Sequence, residues 1–190
     1  MSLKNIEAKV KRLESELKKQ KNKLAQLRRK IPPQKVSDYT FQSAKGELCL
    51  SELFGAKPDL LVVHNMGRKC PYCTLWADGL NGVWQHLENR AAFVVSSPDD
   101  LKTQKEFAKS RDWCFRMVSV KDSPFPKDMG FQSEKGGYLP GVSAFRKTPD
   151  GKIVRVSKST FGPGDDFCAV WHLFDLLAEG ANGWEPHYKY

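Results

Sequence analysis

The sequence contains no long apolar run. Its longest unbroken apolar stretches, such as residues 91–95, are far shorter than the roughly 20 residues that a membrane-spanning helix needs. The first residues alternate apolar with charged side chains, so they do not form the continuous apolar core of a secretory signal. We therefore expect a cytoplasmic protein without a membrane segment.

A local metal-binding motif is also missing. Structural zinc sites usually take four nitrogen or sulfur ligands, and the single CxxC has no second CxxC and no HxxxH pair beside it. His64, Cys114 and Cys168 could complete such a site only by converging in the fold. In a reducing compartment, five cysteines with one close pair indicate thiol reactivity more than a disulfide scaffold. We expect no metal.

The positive charge is confined to one end of the chain. Residues 1–30 hold eleven Lys and Arg against three Glu, a net charge of +8, whereas the other 160 residues carry +1. No aromatic residue interleaves these basic residues, and no groove-reading motif is present. The pattern favours a solvated helix over a nucleic-acid-binding segment.

The same segment has a seven-residue period, which predicts a coiled coil. Lys9 with Glu14 and Glu16 with Lys21 could pair between two parallel copies, and Pro32-Pro33 stops the helix. We predict a helical arm over residues 1–31, a homodimer through residues 3–31, and a globular domain over 34–190. The alternative is one amphipathic helix lying on its own domain. The apolar seam consists of Leu3, Ile6, Val10, Leu13, Leu17, Leu24, Leu27 and Ile31, with Gln20 at one position.

Beyond the prolines, short buried strands alternate with helices. Residues 59–65 and 91–97 are typical buried strands, and a helix should begin at the cysteines and carry Leu87 on its inner side. Residues 140–159 predict a hairpin that turns at 149–151, and residues 165–179 predict a closing amphipathic helix. The pattern indicates an α/β domain with a mostly parallel sheet and an antiparallel hairpin.

The stretch "RKCPYC" (68–73) places the two close cysteines between a buried strand and a helix. Free N–H groups and the helix dipole stabilise an anion at a helix start, and Arg68 and Lys69 would add to that field. Cys70 should therefore have a depressed pKa and act as the nucleophile. Pro71 suits the first turn, and Cys73 could resolve a mixed disulfide. The alternatives are packing thiols or half of a metal site.

The order of these elements resembles the thioredoxin fold, and residues 93–156 look like a peroxiredoxin-type variant. More specifically, "CPYCTLWADGLNG" with the preceding heptad helix and "PGDDFCAVWHLFDLL" resembles the bacterial thioredoxin-like family named domain of unknown function 899. The resemblance implies a thioredoxin-like fold, a central mixed sheet flanked by helices, and no metal or organic cofactor. By position it implies Cys70 as nucleophile, Cys73 as resolving thiol and Pro140 as a cis-proline facing the sulfur. The alternative for Pro140 is an ordinary trans turn proline.

Three further residues belong to that family signature. Trp76 is either a core residue, which we favour, or a substrate contact. Asp78 either accepts a proton from Cys73 or points into solvent. Asn81 has no role that the sequence indicates.

The "CPYC" segment is identical to the dithiol motif of many glutaredoxins. That resemblance implies glutathione as a possible co-substrate, held by backbone beside Pro140 and by the free N–H groups of "FGPGDDF" around Gly164 and Asp165. Pro71 and Tyr72 are further candidate substrate-binding residues. The alternative for the "FGPGDDF" segment, which we favour, is that Asp165 or Asp166 caps the last helix. The terminal "GWEPHYKY" indicates an aromatic segment that folds back on the domain or on a partner.

We therefore predict a thiol–disulfide oxidoreductase that acts on a protein or small-molecule disulfide. A thiol peroxidase is the alternative, although "HNMGRK" (64–69) lacks the Pro and Thr that peroxiredoxins place before their cysteine. A non-catalytic interaction module on the same fold is a further alternative.

Overall fold

The computed structural model describes residues 2–190, and the chain divides into two compact units, the first ending at Pro33. That first unit is one helix, α1 (Leu3–Arg28), as the sequence predicts. Its apolar heptad residues are exposed in the single chain, from 46% at Leu24 to 71% at Leu3. No helix within residues 2–190 is long and apolar enough to span a membrane.

The second unit, residues 34–190, is built on one eight-stranded sheet. Across the sheet the strand order is β1-β8-β7-β4-β5-β6-β2-β3. The strands are β1 (Gln34–Lys35), β2 (Thr40–Ser43), β3 (Gly46–Cys49), β4 (Asp59–His64), β5 (Ala92–Ser97), β6 (Arg116–Ser119), β7 (Gly141–Lys147) and β8 (Ile153–Thr160). The helices are α2 (Leu50–Leu53), α3 (Pro71–Asn81), α4 (Trp84–Arg90), α5 (Leu101–Ser110), α6 (Phe125–Asp128) and α7 (Ala169–Phe174).

The sheet is mixed, but the prediction that it is mostly parallel is wrong. In the described part of the chain only the β4–β5 and β5–β6 pairs are parallel. Two hairpins, β2–β3 and β7–β8, each contribute an antiparallel pair and also border the parallel strands in the antiparallel sense. The predicted turn at 149–151 joins β7 to β8. The buried apolar runs therefore identified the central strands. The two hairpins make most of the strand pairs antiparallel.

Two predicted helices are shorter than expected. The helix that begins at the cysteines breaks at Gly82–Val83 into α3 and α4, where Gly82 lowers the helix propensity. The closing helix ends at Phe174, and the chain continues in tight turns in which Leu176 and Leu177 donate to carbonyls three residues earlier.

Both faces of the sheet are covered by apolar side chains. Along β4, Leu60 and Val62 face one layer and Val63 faces the other. The first layer contains Phe41, Phe125, Phe131 and Phe145. The second contains Trp76, Phe93, Phe115 and Trp171, and it holds α3 against the sheet. The start of α3 is therefore fixed at the edge where β4 ends.

Gly141, the first residue of β7, offers a test of this packing. A Cβ there would overlap the buried ring of Phe131 and the backbone carbonyl of Ser159, neither of which can retreat. We expect Gly141→Ala to lower the free energy of unfolding by about 1–3 kcal/mol. Gly162→Ala, which meets open space, is the matched control. Equal urea midpoints for both variants would contradict the close approach.

Candidate active site

The loop between β4 and α3 is held in place by the end of β5. The Asp99 carboxylate accepts the Arg68 N–H at 2.7 Å, and the Asn65 side chain accepts the Gly67 N–H at 2.7 Å. Gly67 has a φ of +95°, and a Cβ there would press on the Asp99 carboxylate. The loop therefore needs glycine at this position, and it delivers Cys70 to the start of the helix in one defined orientation.

Cys70 occupies the N-cap position of α3, where a Ser or Asp side chain is more usual. Its Sγ accepts the Cys73 backbone N–H at 3.0 Å, and Pro71 follows as the first helical residue. A hydrogen bond from the Cys73 thiol, followed by the backbone N–H groups of Cys73 and Tyr72, lowers the pKa of Cys70 to about 7 despite its partial burial. Cys70 is therefore partly ionised near neutral pH.

The lowered pKa has a different cause from the one expected. The sequence suggests that Arg68 and Lys69 supply part of the positive field, but neither side chain contributes to the pKa of Cys70. Arg68 serves through its backbone N–H, which binds Asp99. The thiolate is stabilised by short-range hydrogen bonds from Cys73 and Tyr72 at the start of α3.

Cys73 lies one turn further into α3 and has the opposite character. It is 3% exposed, and its Sγ accepts the Met66 N–H at 3.4 Å. Its hydrogen bond to Cys70 and its burial both raise the pKa of Cys73. The pair is therefore a half-buried, partly ionised sulfur beside a buried thiol that keeps its proton, and both cysteines are free.

The prediction that Pro140 is a cis-proline is wrong. No cis peptide bond occurs within residues 2–190, so the Leu139–Pro140 bond is trans, the form that X-Pro bonds usually take. Pro140 leads directly into β7, and its carbonyl accepts the Phe161 N–H at 3.0 Å. Because Gly141 pairs with His64 at the end of β4, Pro140 still lies at the sheet edge from which Cys70 emerges.

Asp165 uses the N–H groups that were expected to bind a substrate carboxylate. Its own carboxylate accepts the N–H groups of Gly162, Phe167 and Cys168 at 2.8–3.2 Å. It also accepts the indole N–H of Trp76 at 3.4 Å. Those three N–H groups are therefore not free for glutathione, and Asp165 organises the turn before α7 without being its N-cap residue. Gly164 supplies the positive φ of +85° in this turn.

Of the other expected substrate contacts, Trp76 is a core residue and Tyr72 lies at the surface. Trp76 is 3% exposed, so it does not meet a substrate directly. Tyr72 is half-buried, with its ring 6.2 Å from that of Trp171. Tyr72 thus borders Cys70 on the α7 side.

Asp78 and Asn81 bind the segment that follows α5. Asp78 accepts hydrogen bonds from Arg111 and, at 2.8 Å, from the indole of Trp113, so it neither receives the Cys73 proton nor points into solvent. Asn81 donates to the Asp112 carbonyl and accepts the Cys114 N–H. No sequence pattern singles out Arg111, because nothing in its neighbourhood sets it apart from the other basic residues.

The remaining cysteines and His64 are scattered. Cys49 begins α2, Cys114 is exposed and Cys168 is buried at the start of α7. His64 is buried against Phe131, and burial lowers its pKa. Within residues 2–190 no three His, Cys, Asp or Glu side chains come together as metal ligands.

Known proteins with a similar chain are peroxiredoxins. The chloroplastic peroxiredoxin Q of Triticum aestivum is 25% identical over 134 residues, which are 70% of this chain and 59% of that protein. A reduced peroxiredoxin of Vibrio vulnificus in complex with hydrogen peroxide matches with a TM-score of 0.57 and 15% identity, over 70% of this chain and 88% of the other. The bacterioferritin comigratory protein of Xanthomonas campestris matches with a TM-score of 0.52 and 17% identity, over 64% and 79%.

These likenesses confirm the thioredoxin-like fold. At the level of family, residues 4–190 match the sequence profile described as "Bacterial protein of unknown function (DUF899)". The match extends over nearly the whole chain. The chain therefore belongs to that family.

Proposed function

We propose that the protein is a cysteine-dependent thiol peroxidase in which Cys70 reduces a hydroperoxide and Cys73 resolves the product. The observation that carries this proposal is the Cys70 sulfur at the start of α3, which accepts the Cys73 N–H at 3.0 Å while the Cys73 thiol is buried one turn away. The opposite pKa shifts of the two thiols agree with this geometry. A thiolate is the form that attacks a peroxide, and a buried neutral thiol beside it avoids competing for the same oxidant. The similarity to peroxiredoxins, one of them in complex with hydrogen peroxide, supports peroxide as the oxidant.

The proposed reaction needs only the two sulfurs and an outside reductant. The Cys70 thiolate attacks one peroxide oxygen, the O–O bond breaks, and the leaving oxygen takes a proton to give an alcohol or water. Cys70 is then a sulfenic acid. The Cys73 sulfur attacks the Cys70 sulfur, and its proton leaves with the hydroxyl group as water. The resulting disulfide is returned to two thiols by an external thiol.

Thiol–disulfide exchange is the second candidate, and the same pair supports it. The Cys73 N–H already lies on the Cys70 sulfur, so a mixed disulfide at Cys70 would form within one turn of its resolving thiol. Glutathione as the co-substrate has less support than the sequence suggests, because Asp165 occupies three of the N–H groups proposed for its carboxylate. The non-catalytic interaction module, the remaining alternative, predicts neither reaction.

Stopped-flow mixing with hydrogen peroxide tests these candidates directly. We expect rapid peroxide consumption by the reduced protein, loss of that reaction in Cys70→Ser, and arrest at a trappable sulfenic acid in Cys73→Ser. Cys114→Ser, which removes an exposed thiol elsewhere, is the control. Slow peroxide consumption with fast reduction of a small disulfide would support exchange. Absence of both reactions would contradict both enzymatic candidates and support a non-catalytic interaction module.

The pH dependence of Cys70 alkylation measures the thiolate independently of any substrate. In a background lacking Cys49 and Cys114, the rate should rise with pH through a midpoint of about 7, because only the thiolate reacts. Cys73→Ala removes the thiol donor, and we expect its midpoint to rise by about one pH unit. Cys73→Ser keeps a hydroxyl donor and should move less. An unperturbed wild-type midpoint of ~8.5 would contradict the proposed activation.

We also propose that α1 pairs with a second copy of itself. Its apolar residues form an exposed seam interrupted only at Gln20, and the charges on either side are complementary between parallel copies. We expect deletion of residues 1–33 to halve the mass measured by light scattering. Leu13→Asp with Leu17→Asp should do the same, whereas Ser15→Asp, off the seam, should not. A full-length chain with the mass of a monomer would refute the pairing.

A further inference from the structure

The aromatic segment 184–190, here called the strap, folds onto the same unit that carries the dithiol. Its first anchor lies on α7. The Trp184 ring packs edge-on against Phe174 at 4.9 Å and against Trp171 at 6.0 Å between ring centroids. Trp171 in turn stacks on Tyr72, two residues from Cys70. The strap therefore starts beside the CxxC segment.

The strap also comes near the CxxC segment at Glu185. Burial, followed by the negative charge of the nearby Glu185 carboxylate, raises the pKa of Tyr72. Pro186, the next residue, is buried although its neighbours on the strap are exposed. The strap is thus pressed onto the domain between its two ends.

The other anchor lies on α5, at Tyr188. Arg111 donates through Nη1 to the Tyr188 carbonyl at 2.8 Å, and the Tyr188 ring meets Phe107 edge-on at 6.3 Å. Arg111 is itself held by Asp78 of α3, which binds both its Nε and its Nη2. Such two-point, charge-assisted pairs fix the direction of a guanidinium group. Asp78 therefore positions Arg111, and Arg111 positions the strap.

Both anchors lead to α3, the first through Trp171 to Tyr72 and the second through Arg111 to Asp78. Tyr188 lies near the dithiol, and burial followed by the Cys70 thiolate raises the pKa of Tyr188. Cys70 is half-buried and Cys73 is almost fully buried. The approach to Cys70 is consequently bordered by Tyr72 on one side and by the strap on the other.

We propose that the strap forms one wall of the substrate site at Cys70 and limits it to compact electrophiles, with Asp78 and Arg111 as positioning residues. The inference rests on the proposed function only in taking Cys70 as the reacting sulfur. A small hydroperoxide passes between Tyr72 and the strap, whereas a bulky disulfide or a folded protein must displace it. The strap thereby favours peroxide reduction over exchange with protein disulfides.

The test compares two alkylating reagents at Cys70, a small iodoacetamide and a maleimide carrying a polyethylene glycol chain. In a background lacking Cys49 and Cys114, we expect removal of residues 184–190 to raise the rate with the bulky reagent about tenfold relative to the small one, an opening equivalent to about 1.4 kcal/mol. Asp78→Asn should change this ratio in the same direction. Asp59→Asn, which breaks a two-arginine pair at the start of β4, is the matched control.

Hydrogen exchange of the strap gives a second readout that a general loss of stability would not reproduce. Asp78→Asn should speed exchange within residues 184–190 while β4 and β5 stay protected. An unchanged ratio of the two rates in the shortened chain would overturn the proposal. If the ratio changes but the protein does not consume peroxide, the proposal for the strap is supported and the proposed peroxidase function is contradicted.

Discussion

The hydrogen bond from the Cys73 backbone N–H to the Cys70 sulfur is the interaction on which the site depends. In most helices an oxygen of Ser, Thr or Asp fills this N-cap position, and here a sulfur fills it. Capping is strongest when the sulfur is charged, because the N–H groups of the first turn favour an anion. Ionisation of Cys70 therefore strengthens the start of α3, and a well-formed start of α3 favours ionisation of Cys70. The same bond places Cys73 one turn away, where it can reach the sulfur that it stabilises.

This arrangement is maintained by contacts distant in sequence. Asp99, just beyond β5, holds the loop that leads to Cys70, and Gly67 permits its close approach. On the other sides of α3, Trp76 binds Asp165 and Asp78 binds Arg111. The helix is thereby fixed along its length by segments 30 to 90 residues away. The geometry at Cys70 is set before a substrate arrives, so little ordering remains to oppose the reaction.

The sequence predicts much of this, where its patterns are local. The buried runs identified β4 and β5, Pro149–Gly151 identified the hairpin, and CxxC after a strand predicted the pair for which we propose reactivity. The errors concern partners that no local pattern encodes. Arg68 and Lys69 are adjacent to Cys70 in sequence, yet their side chains do not contribute to its pKa. The N–H groups around Asp165 were a candidate ligand site, but the Asp165 carboxylate accepts three of them within its own turn. The Leu139–Pro140 bond is trans, whereas the family resemblance implied the cis form.

The start of α3 does not stabilise the reduced and the oxidised forms of the cysteine pair equally. Reduction gives Cys70 a charge that the N–H groups of Cys73 and Tyr72 bind, and disulfide formation removes that charge. In the proposed cycle, the start of α3 would therefore stabilise the reduced pair more than the disulfide, and outside thiols would reduce the disulfide readily. Such a pair would need a strong oxidant to drive each turnover, and a hydroperoxide is one. The capping sulfur would then serve both in the attack on the peroxide and in the return to two thiols, with the proton of Cys73 leaving as part of the water formed.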